Sequence, residues 1–193
     1  PIVILHGWGA SSESFQELKE LLEKEGYRVE APDLPGFGKS PLTKALDFAD
    51  YVRFVEKYIG DRKVTLIGHS FGGRIATALA LTHPEHIEKL VLVNASGITH
   101  PLSWKKHLGY IFAKSGKTVF SLPLLSFMYP FIRKILYFFL DEWDYYKSSG
   151  ALLKTFKNVY RKDIQEDLQH ILVPTLIVWG EKDITTPVPD AHV

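Results

Sequence analysis

Short apolar runs recur along the chain, each bounded by turn-forming residues and separated from the next by a stretch with helical periodicity. Runs of this length are typical of strands that are buried on both faces of a parallel sheet. They predict strands at Ile2–Leu5, Tyr27–Ala31, Lys63–Ile67, Ile87–Asn94 and Pro174–Trp179. The intervening periodicity predicts helices at Ser14–Glu25, Leu46–Ile59 and Arg74–Ala80. Strands that alternate with helices predict an α/β fold, with a mostly parallel sheet and flanking helices.

The first predicted helix carries local start and stop signals. Ser14 is followed three residues later by Glu17, which is the spacing of a capping box, and Gly26 is a good C-terminal stop. These signals predict a helix that begins at Ser14 and ends before Gly26.

A glycine-rich turn joins the third predicted strand to the helix Arg74–Ala80. Its sequence, Gly68-His69-Ser70-Phe71-Gly72-Gly73, contains the pattern G-x-S-x-G. Between a strand and a helix this pattern is typical of a nucleophile elbow, a sharp turn that exposes a serine hydroxyl to substrate. A β-carbon two residues to either side of the serine would collide with a neighbouring strand or helix, which explains the flanking glycines. Ser70 is therefore the candidate nucleophile, and free backbone N–H groups at the helix start can hold developing negative charge.

This turn, together with His6-Gly7-Trp8-Gly9 after the first strand, resembles the α/β-hydrolase superfamily, and the resemblance extends from Ile2 to Val193. It implies an esterase-like or lipase-like serine hydrolase. That superfamily takes one oxyanion N–H from the residue after the nucleophile and a second from the loop after an early strand. The resemblance therefore implies oxyanion donors at Phe71 and Trp8. His6 and His69 are interpreted as structural residues that shape the loop and the elbow.

The resemblance also implies a helical cap inserted into the core. The segment Pro101–Gln165 has helical lengths without strand rhythm, a net charge of +7 against −6 for the remainder, and 15 of the 25 Phe, Tyr and Trp residues. We expect a core formed by residues 1–98 and 167–193, with the cap over residues 99–166. The basic surface of this cap has three interpretations: a solvated face, a site that steers anionic substrates, or a surface that approaches anionic lipid.

The resemblance implies that the acid of a catalytic triad is Asp183. The triad order in the superfamily is serine, acid, histidine, and Trp179-Gly180-Glu181-Lys182-Asp183 resembles its acid loop. The histidine is expected after one more helix and strand, roughly 20 to 30 residues further on. His192 follows Asp183 by nine residues and lies in what resembles the entry to that helix. We therefore expect the chain to be part of a longer hydrolase, with the catalytic histidine outside it.

Composition excludes several other classes of protein. The chain has no cysteine, which excludes disulfides, thiolate metal sites and a cysteine nucleophile. A net charge of +1 gives no reason to expect a nucleic-acid partner. Prolines and basic residues interrupt the apolar stretch Val119–Leu140, which argues against a membrane span. We expect a cytoplasmic location.

The predicted function is hydrolysis of carboxylic esters through an acyl-enzyme, with Ser70 as nucleophile and Asp183 as the acid, and without metal or organic cofactor. The expected partner is a small-molecule ester, and the aromatic cap favours an apolar acyl group. A serine at the elbow argues against the epoxide hydrolases and haloalkane dehalogenases of the superfamily, which carry aspartate there. Two alternatives remain: a carbon–carbon bond hydrolase whose basic cap holds a carboxylate, and a non-catalytic ligand-binding protein or fragment.

Overall fold

A parallel sheet forms the centre of the protein. The structure is a computed structural model that describes residues 1–98, 150–160 and 164–193. In these residues the strands are β1 (Ile2–Leu5), β2 (Val29–Glu30), β3 (Val64–His69), β4 (Ile87–Val93) and β5 (Thr175–Val178). Their order is β2-β1-β3-β4-β5, and every neighbouring pair is parallel. The predicted α/β fold with a parallel sheet is confirmed.

Helices connect successive strands and lie on both faces of the sheet. The longer helices of the described part are α1 (Gln16–Lys24), α2 (Phe48–Ile59), α3 (Phe71–Thr82) and α4 (Gly150–Tyr160). Short 3-10 helices occupy Ser12–Phe15, Pro84–His86, Gln165–His170 and Val188–His192. The three predicted helices are therefore present, and α3 extends beyond its predicted bounds at both ends.

The capping box predicted at Ser14 is wrong. Ser14 lies inside the 3-10 helix Ser12–Phe15, where its N–H donates to the Ser11 carbonyl at 3.1 Å, and α1 begins only at Gln16 without a side-chain cap. The preceding 3-10 turn leads directly into α1 and takes the place of a side-chain cap. A capping box occurs instead on α2, where the Asp47 carboxylate accepts the Asp50 N–H at 2.8 Å and Asp50 accepts the Asp47 N–H at 2.9 Å.

The core has two parts because alternate side chains of a strand point to opposite faces of the sheet. The larger part contains Val3 and Leu5 of β1, Leu66 of β3, and side chains of α2 and α3 such as Val55 and Ile75, all fully buried. The smaller part, on the other face, contains Ile2, Ile4 and Val29, with Phe15 and Leu22 packed against them. Both faces are covered, as the continuous apolar run of β1 predicts.

Strand β5 differs from the buried strand that its sequence predicts. Its four residues are exposed, with Leu176 58%, Ile177 48% and Val178 46% accessible to solvent. Within the described residues β5 is an edge strand that pairs only with β4. An apolar run indicates a strand, but it does not reveal how many neighbours cover that strand.

The predicted cap over residues 99–166 lies largely outside the described residues, so its bounds stay a prediction. Helix α4 falls inside that range, but it belongs to the same compact unit as Pro1–Thr99 and residues 164–193. Val159 is buried in the larger core, Leu152 packs against it, and the Arg74 guanidinium of α3 donates to the Val159 carbonyl at 2.8 Å. The α4 segment is thus part of the core unit.

The described helices include none that is long and apolar enough to cross a membrane. The apolar stretch Val119–Leu140, for which the sequence argued against a span, lies outside the described residues.

The turn between β3 and α3 depends on backbone contacts that leave no room for a β-carbon. A β-carbon at Gly68 would lie 2.5 Å from the Cα of Gly73. One at Gly72 would overlap the backbone of Leu5 and His6 at the end of β1. The steric reason predicted for both glycines is confirmed, and Gly73 is equally crowded, because its β-carbon would lie 2.7 Å from that of Ala95.

We expect Gly72→Ala to lower the free energy of unfolding by about 3 kcal/mol, because a β-carbon pressed against backbone cannot be relieved by a rotamer change. Gly180→Ala is the matched control. Its β-carbon would lie 3.6 Å from the nearest atom, Asn94 Nδ2, so we expect a change within about 0.5 kcal/mol. Urea unfolding followed by circular dichroism measures both variants, and equal midpoints would contradict the steric account.

Candidate active site

Ser70 occupies a strained position between β3 and α3. Its backbone has φ 49° and ψ −116°, in a region that a residue with a side chain rarely adopts. The Ser70 N–H donates to the Val93 carbonyl at 3.1 Å, and the Ser70 carbonyl accepts the N–H of Ser96 at 3.1 Å and of Arg74 at 3.2 Å. These bonds to β4 and α3 hold the strained conformation. The Ser70 side chain is half-buried, so it remains accessible from one side.

The loop after β1 lies directly against Ser70. A β-carbon at Gly7 would lie 3.3 Å from the Ser70 Cβ, so the Gly7 backbone passes beside the serine side chain. The next residue, Trp8, packs edge-on against the Phe71 ring, with centroids 5.3 Å apart. Among the described residues neither the Trp8 nor the Phe71 backbone N–H donates a hydrogen bond to protein. The Trp8 ring therefore contacts the Phe71 ring, and the loop that contains Trp8 lies beside Ser70.

Aromatic rings surround the Trp8 side chain. Phe37, Phe71 and Phe156 each meet it in a T-shaped arrangement, with centroids 4.9, 5.3 and 5.2 Å from the indole. Tyr51 lies 6.5 Å away in a tilted arrangement. Edge-to-face pairs of this kind are favourable beyond the area they bury. They hold the indole in place and make the surroundings of the elbow apolar.

His6 is buried, with 1% of its surface exposed, and both ring nitrogens are hydrogen-bonded. Nε2 lies 3.0 Å from the Leu34 nitrogen and Nδ1 lies 2.8 Å from the Gly7 oxygen. Burial lowers the pKa of His6, opposed by the bond to Gly7 and the charge of Asp33. These contacts support the interpretation of His6 as a structural residue of the loop.

His69, immediately before Ser70, is half-buried between the Gly7 loop and the ring of Phe15, whose centroid lies 6.1 Å away. Burial lowers the pKa of His69, and the charge of Asp183 acts in the opposite direction. The charge of Asp183 therefore acts on the residue that immediately precedes Ser70.

Asp183 accepts hydrogen bonds from its own loop, which follows β5, and from Asn94, which follows β4. Its Oδ1 accepts the backbone N–H groups of Thr185 and Thr186, both at 2.8 Å, and its Oδ2 accepts the side-chain amide of Asn94. Partial burial would raise the pKa of Asp183, but the bonds from Thr186, Thr185 and Asn94 together hold that pKa below its usual range. The carboxylate is therefore ionised at neutral pH and fixed in direction.

Asn94 connects the end of β4 to this loop, a role that the sequence did not reveal. Besides donating to Asp183, its side-chain oxygen accepts the Gly180 N–H at 3.1 Å, and its backbone oxygen accepts the Thr186 hydroxyl at 3.3 Å. Its backbone has φ 44°, a conformation that asparagine tolerates better than most residues. The signal available in the sequence was an asparagine at the carboxyl end of a strand, next to the strand that leads to Asp183.

Asp33 is a second residue whose role the sequence did not reveal. Its carboxylate accepts the N–H of Ser12 at 2.7 Å and of Lys39 at 2.8 Å, and so ties together the loops that follow β1 and β2. A β-carbon at Gly38 would overlap this carboxylate. Partial burial would raise the pKa of Asp33, but the bonds from Lys39 and Ser12 hold that pKa below its usual range. Asp33 supports the loop that contains Trp8.

The parallel sheet brings the predicted site residues to one edge. Ser70 follows β3, Asn94 follows β4, and the loop with Asp183 follows β5, so all three lie at the carboxyl ends of neighbouring strands. His192 is exposed, at the end of the 3-10 helix Val188–His192. None of the described histidines is hydrogen-bonded to Ser70 or Asp183.

Comparison with known proteins finds a matching family model and a similar curated protein. A family model described as the alpha/beta hydrolase fold matches residues 1–121. The pimeloyl-[acyl-carrier protein] methyl ester esterase of Wigglesworthia glossinidia brevipalpis is 29% identical over 202 residues, which cover 97% of this chain and 76% of that protein.

Solved structures show the same fold. A membrane phospholipase A described as a bacterial virulence factor matches with a TM-score of 0.69 and 24% identity, over 99% of this chain and 66% of that one. A thermophilic esterase from Thermogutta terrifontis matches with a TM-score of 0.64 and 23% identity, over 100% of this chain and 75% of that one. At these identities the likeness shows the fold alone. The chain spans about two thirds to three quarters of the length of these relatives.

We expect Asn94→Gly to destabilise the fold by about 1 to 3 kcal/mol at pH 7, because it removes a hydrogen bond to a charged group while still allowing a positive φ. The pKa of Asp183 is lowered in the folded protein. Its bonds therefore stabilise the fold above the unfolded pKa of about 3.9, and this contribution is lost as the pH falls through the folded value. The difference in the free energy of unfolding between the wild type and Asn94→Gly should accordingly shrink below about pH 4.

Urea unfolding between pH 3 and pH 7 measures this difference. Asn94→Ala serves as a second variant and should lose about 1 kcal/mol more, because alanine is strained at positive φ. A difference between the wild type and Asn94→Gly that stays constant down to pH 3 would contradict the assignment of Asn94 to the ionised Asp183.

Proposed function

This chain belongs to the alpha/beta hydrolase fold family, and we propose that it is a serine hydrolase that cleaves carboxylic esters through an acyl-enzyme intermediate. The observation that carries the proposal is the conformation of Ser70. A serine with φ 49°, half-exposed between a buried strand and a helix, costs stability that a purely structural turn would not need. Ser70 follows β3 and lies beside the Gly7–Trp8 loop.

In the proposed reaction the Ser70 hydroxyl attacks the ester carbonyl carbon and gives its proton to a histidine. The resulting tetrahedral intermediate carries negative charge on the former carbonyl oxygen. Its collapse expels the alcohol, which takes the proton from the histidine, and leaves the acyl group on Ser70. Water then attacks the acyl-enzyme by the same steps and releases the acid.

The Trp8 and Phe71 N–H groups are proposed to stabilise the oxyanion. Phe71 is the first residue of α3, whose N-terminal N–H groups have no partner within the helix and carry the positive end of the helix dipole. The contact between the Trp8 and Phe71 rings, and the Gly7 backbone beside the Ser70 side chain, support a pair of donors that converge beside the serine. Preorganised donors of this kind account for a large share of catalysis in acyl transfer.

Asp183 is proposed to orient the histidine. The backbone N–H groups of Thr185 and Thr186 both donate to Oδ1, whereas the Asn94 amide donates to Oδ2. The proposal places the Nδ1–H of an imidazole on Oδ2, because a carboxylate oxygen can accept two hydrogen bonds. The proposal takes that imidazole from a histidine outside the described residues, and it needs Asp183 to be ionised, as its lowered pKa provides.

The proposed substrate is a small-molecule ester with an apolar acyl group. The name of the Wigglesworthia relative supports an ester, since that protein acts on a methyl ester of an acyl group. The ring cluster formed by Trp8, Phe37, Phe71 and Phe156 supports an apolar acyl group, because it makes the region next to the elbow apolar. Faster hydrolysis of p-nitrophenyl acetate than of p-nitrophenyl hexanoate would contradict this preference.

Reaction with a fluorophosphonate tests the nucleophile. Because these reagents require an activated serine, we expect the intact protein to gain the mass of a single adduct and Ser70→Ala to gain none. Ester hydrolysis should fall in that variant by at least about 10³-fold.

Ser96→Ala is the matched control. Ser96 is a nearby serine whose backbone N–H, which the substitution keeps, donates to the Ser70 carbonyl at 3.1 Å. This variant should gain the adduct like the wild type. An adduct that persists in Ser70→Ala, or a folded wild-type protein that gains none, would show that Ser70 is not the nucleophile.

A further inference from the structure

The peptide group between Gly7 and Trp8 is held at its carbonyl oxygen by the buried side chain of His6. The Gly7 carbonyl and the Trp8 N–H belong to one peptide group, and the Gly7 oxygen lies 2.8 Å from His6 Nδ1. The same oxygen accepts the Ala10 N–H at the longer distance of 3.3 Å. His6 thus supplies the shorter of two restraints on this peptide.

The hydrogen bonds of His6 determine which ring nitrogen carries the proton. The Leu34 N–H, 3.0 Å from Nε2, can only donate, so Nε2 must accept. A neutral imidazole has one donor and one acceptor nitrogen, which leaves the proton on Nδ1. The Nδ1–H therefore donates to the Gly7 oxygen. The opposite tautomer would place two donors against each other at Leu34 and two acceptors against each other at Gly7.

Planarity transmits this restraint to the other side of the peptide. The Gly7–Trp8 peptide is trans, so its C=O and N–H point in opposite directions within one plane. A hydrogen bond that fixes the direction of the Gly7 oxygen therefore fixes the direction of the Trp8 N–H. The Gly7 backbone passes beside the Ser70 side chain, so a small rotation of this plane would move the donor relative to the reacting carbonyl.

We propose that His6 is a positioning residue that aims the Trp8 N–H at the oxyanion, and that it does so only as the neutral tautomer protonated on Nδ1. The inference rests on the proposed function, since it takes the Trp8 N–H as an oxyanion donor. Among the described residues the hydrogen-bond partners of the His6 ring are Gly7 and Leu34, not Ser70. It acts through the Gly7–Trp8 peptide.

Protonation of His6 would break this arrangement. A proton on Nε2 would face the Leu34 N–H, so that hydrogen bond would be lost and the ring would be pushed from its place. Two ionisable groups act on His6: the carboxylate of Asp33, which favours the cation, and His69, which disfavours it. Burial is the largest influence and lowers the pKa of His6. The neutral form therefore persists below the ordinary histidine pKa of about 6.5, and the alignment is lost only as the pH falls through the lowered value.

Two substitutions distinguish the hydrogen bond of His6 Nδ1 from that of His6 Nε2. In His6→Asn the side-chain amide can replace the Nδ1–H donor to Gly7 but cannot reach Leu34. In His6→Gln the side-chain oxygen can replace Nε2 as the acceptor for Leu34, but the donor to Gly7 is lost. Each variant loses one buried hydrogen bond and some packing, so we expect similar losses of stability from the two.

Hydrolysis of p-nitrophenyl hexanoate by the full chain should distinguish the variants. We expect His6→Gln to lower kcat by about 10- to 100-fold with little change in KM, because the oxyanion forms only in the transition state and its donor is misaligned rather than removed. His6→Asn should stay within about threefold of the wild-type kcat, because it keeps the restraint that acts on the transition state. Equal values of kcat in the two variants, or a rise in KM alone, would overturn the proposal.

A second readout needs neither activity nor variants. Long-range ¹H–¹⁵N NMR of the wild-type protein at pH 7 reports which nitrogen of His6 is protonated. We expect the Nδ1–H tautomer, and finding the Nε2–H tautomer or a charged ring would overturn the proposal even if both variants fail to fold. A wild-type protein whose Ser70 does not react with a fluorophosphonate would refute the proposed function. Reactive Ser70 together with unchanged kcat in His6→Gln would refute the role of His6 alone.

Discussion

The candidate site depends on the close approach of the first turn of α3 to the end of β1. At Gly72 the two backbones lie so near each other that no β-carbon fits between them. This contact holds the turn around Ser70 and the loop after β1 together as one unit, because the residues that follow the contact on the β1 side are Gly7 and Trp8. Within this unit the hydrogen bonds of the Ser70 backbone to Val93, Arg74 and Ser96 hold its positive φ. Ser70 and the loop that contains Trp8 are thus positioned by the same steric constraint.

A second connection joins this unit to Asp183, the proposed acid. Ser70 is bonded through its N–H to the last residue of β4, Val93, and the next residue, Asn94, holds the loop of Asp183 through its side chain. Each proposed functional group therefore follows the end of a strand of the parallel sheet, and the side chains of Asn94 and His6 add further hydrogen bonds. Sites supported by rigid elements in this way keep their geometry more precisely than sites built on loops alone.

Local steric rules explain what the sequence could predict. The spacing of glycines around Ser70 has one physical cause, the close packing of strand and helix, so the turn and its neighbours follow from a few adjacent residues. Asn94, His6 and Asp33 each have a hydrogen-bond partner far along the chain, at separations of 89, 28 and 21 residues, and nothing local distinguishes these side chains from ordinary polar residues. The capping prediction at Ser14 failed because a 3-10 turn competed with the side-chain cap. The exposure of β5 depends on its place at the edge of the sheet that the described residues form, which an apolar pattern does not encode.

A crystal structure of the fluorophosphonate adduct tests the central claim most directly, because the phosphoryl oxygen occupies the position of the oxyanion. The account predicts that phosphorus is bonded to Ser70 Oγ and that its oxygen lies about 2.7 to 3.1 Å from the backbone nitrogens of both Trp8 and Phe71. An oxygen that points into solvent, or that is bound by other groups while these two N–H groups stay unused, would contradict it.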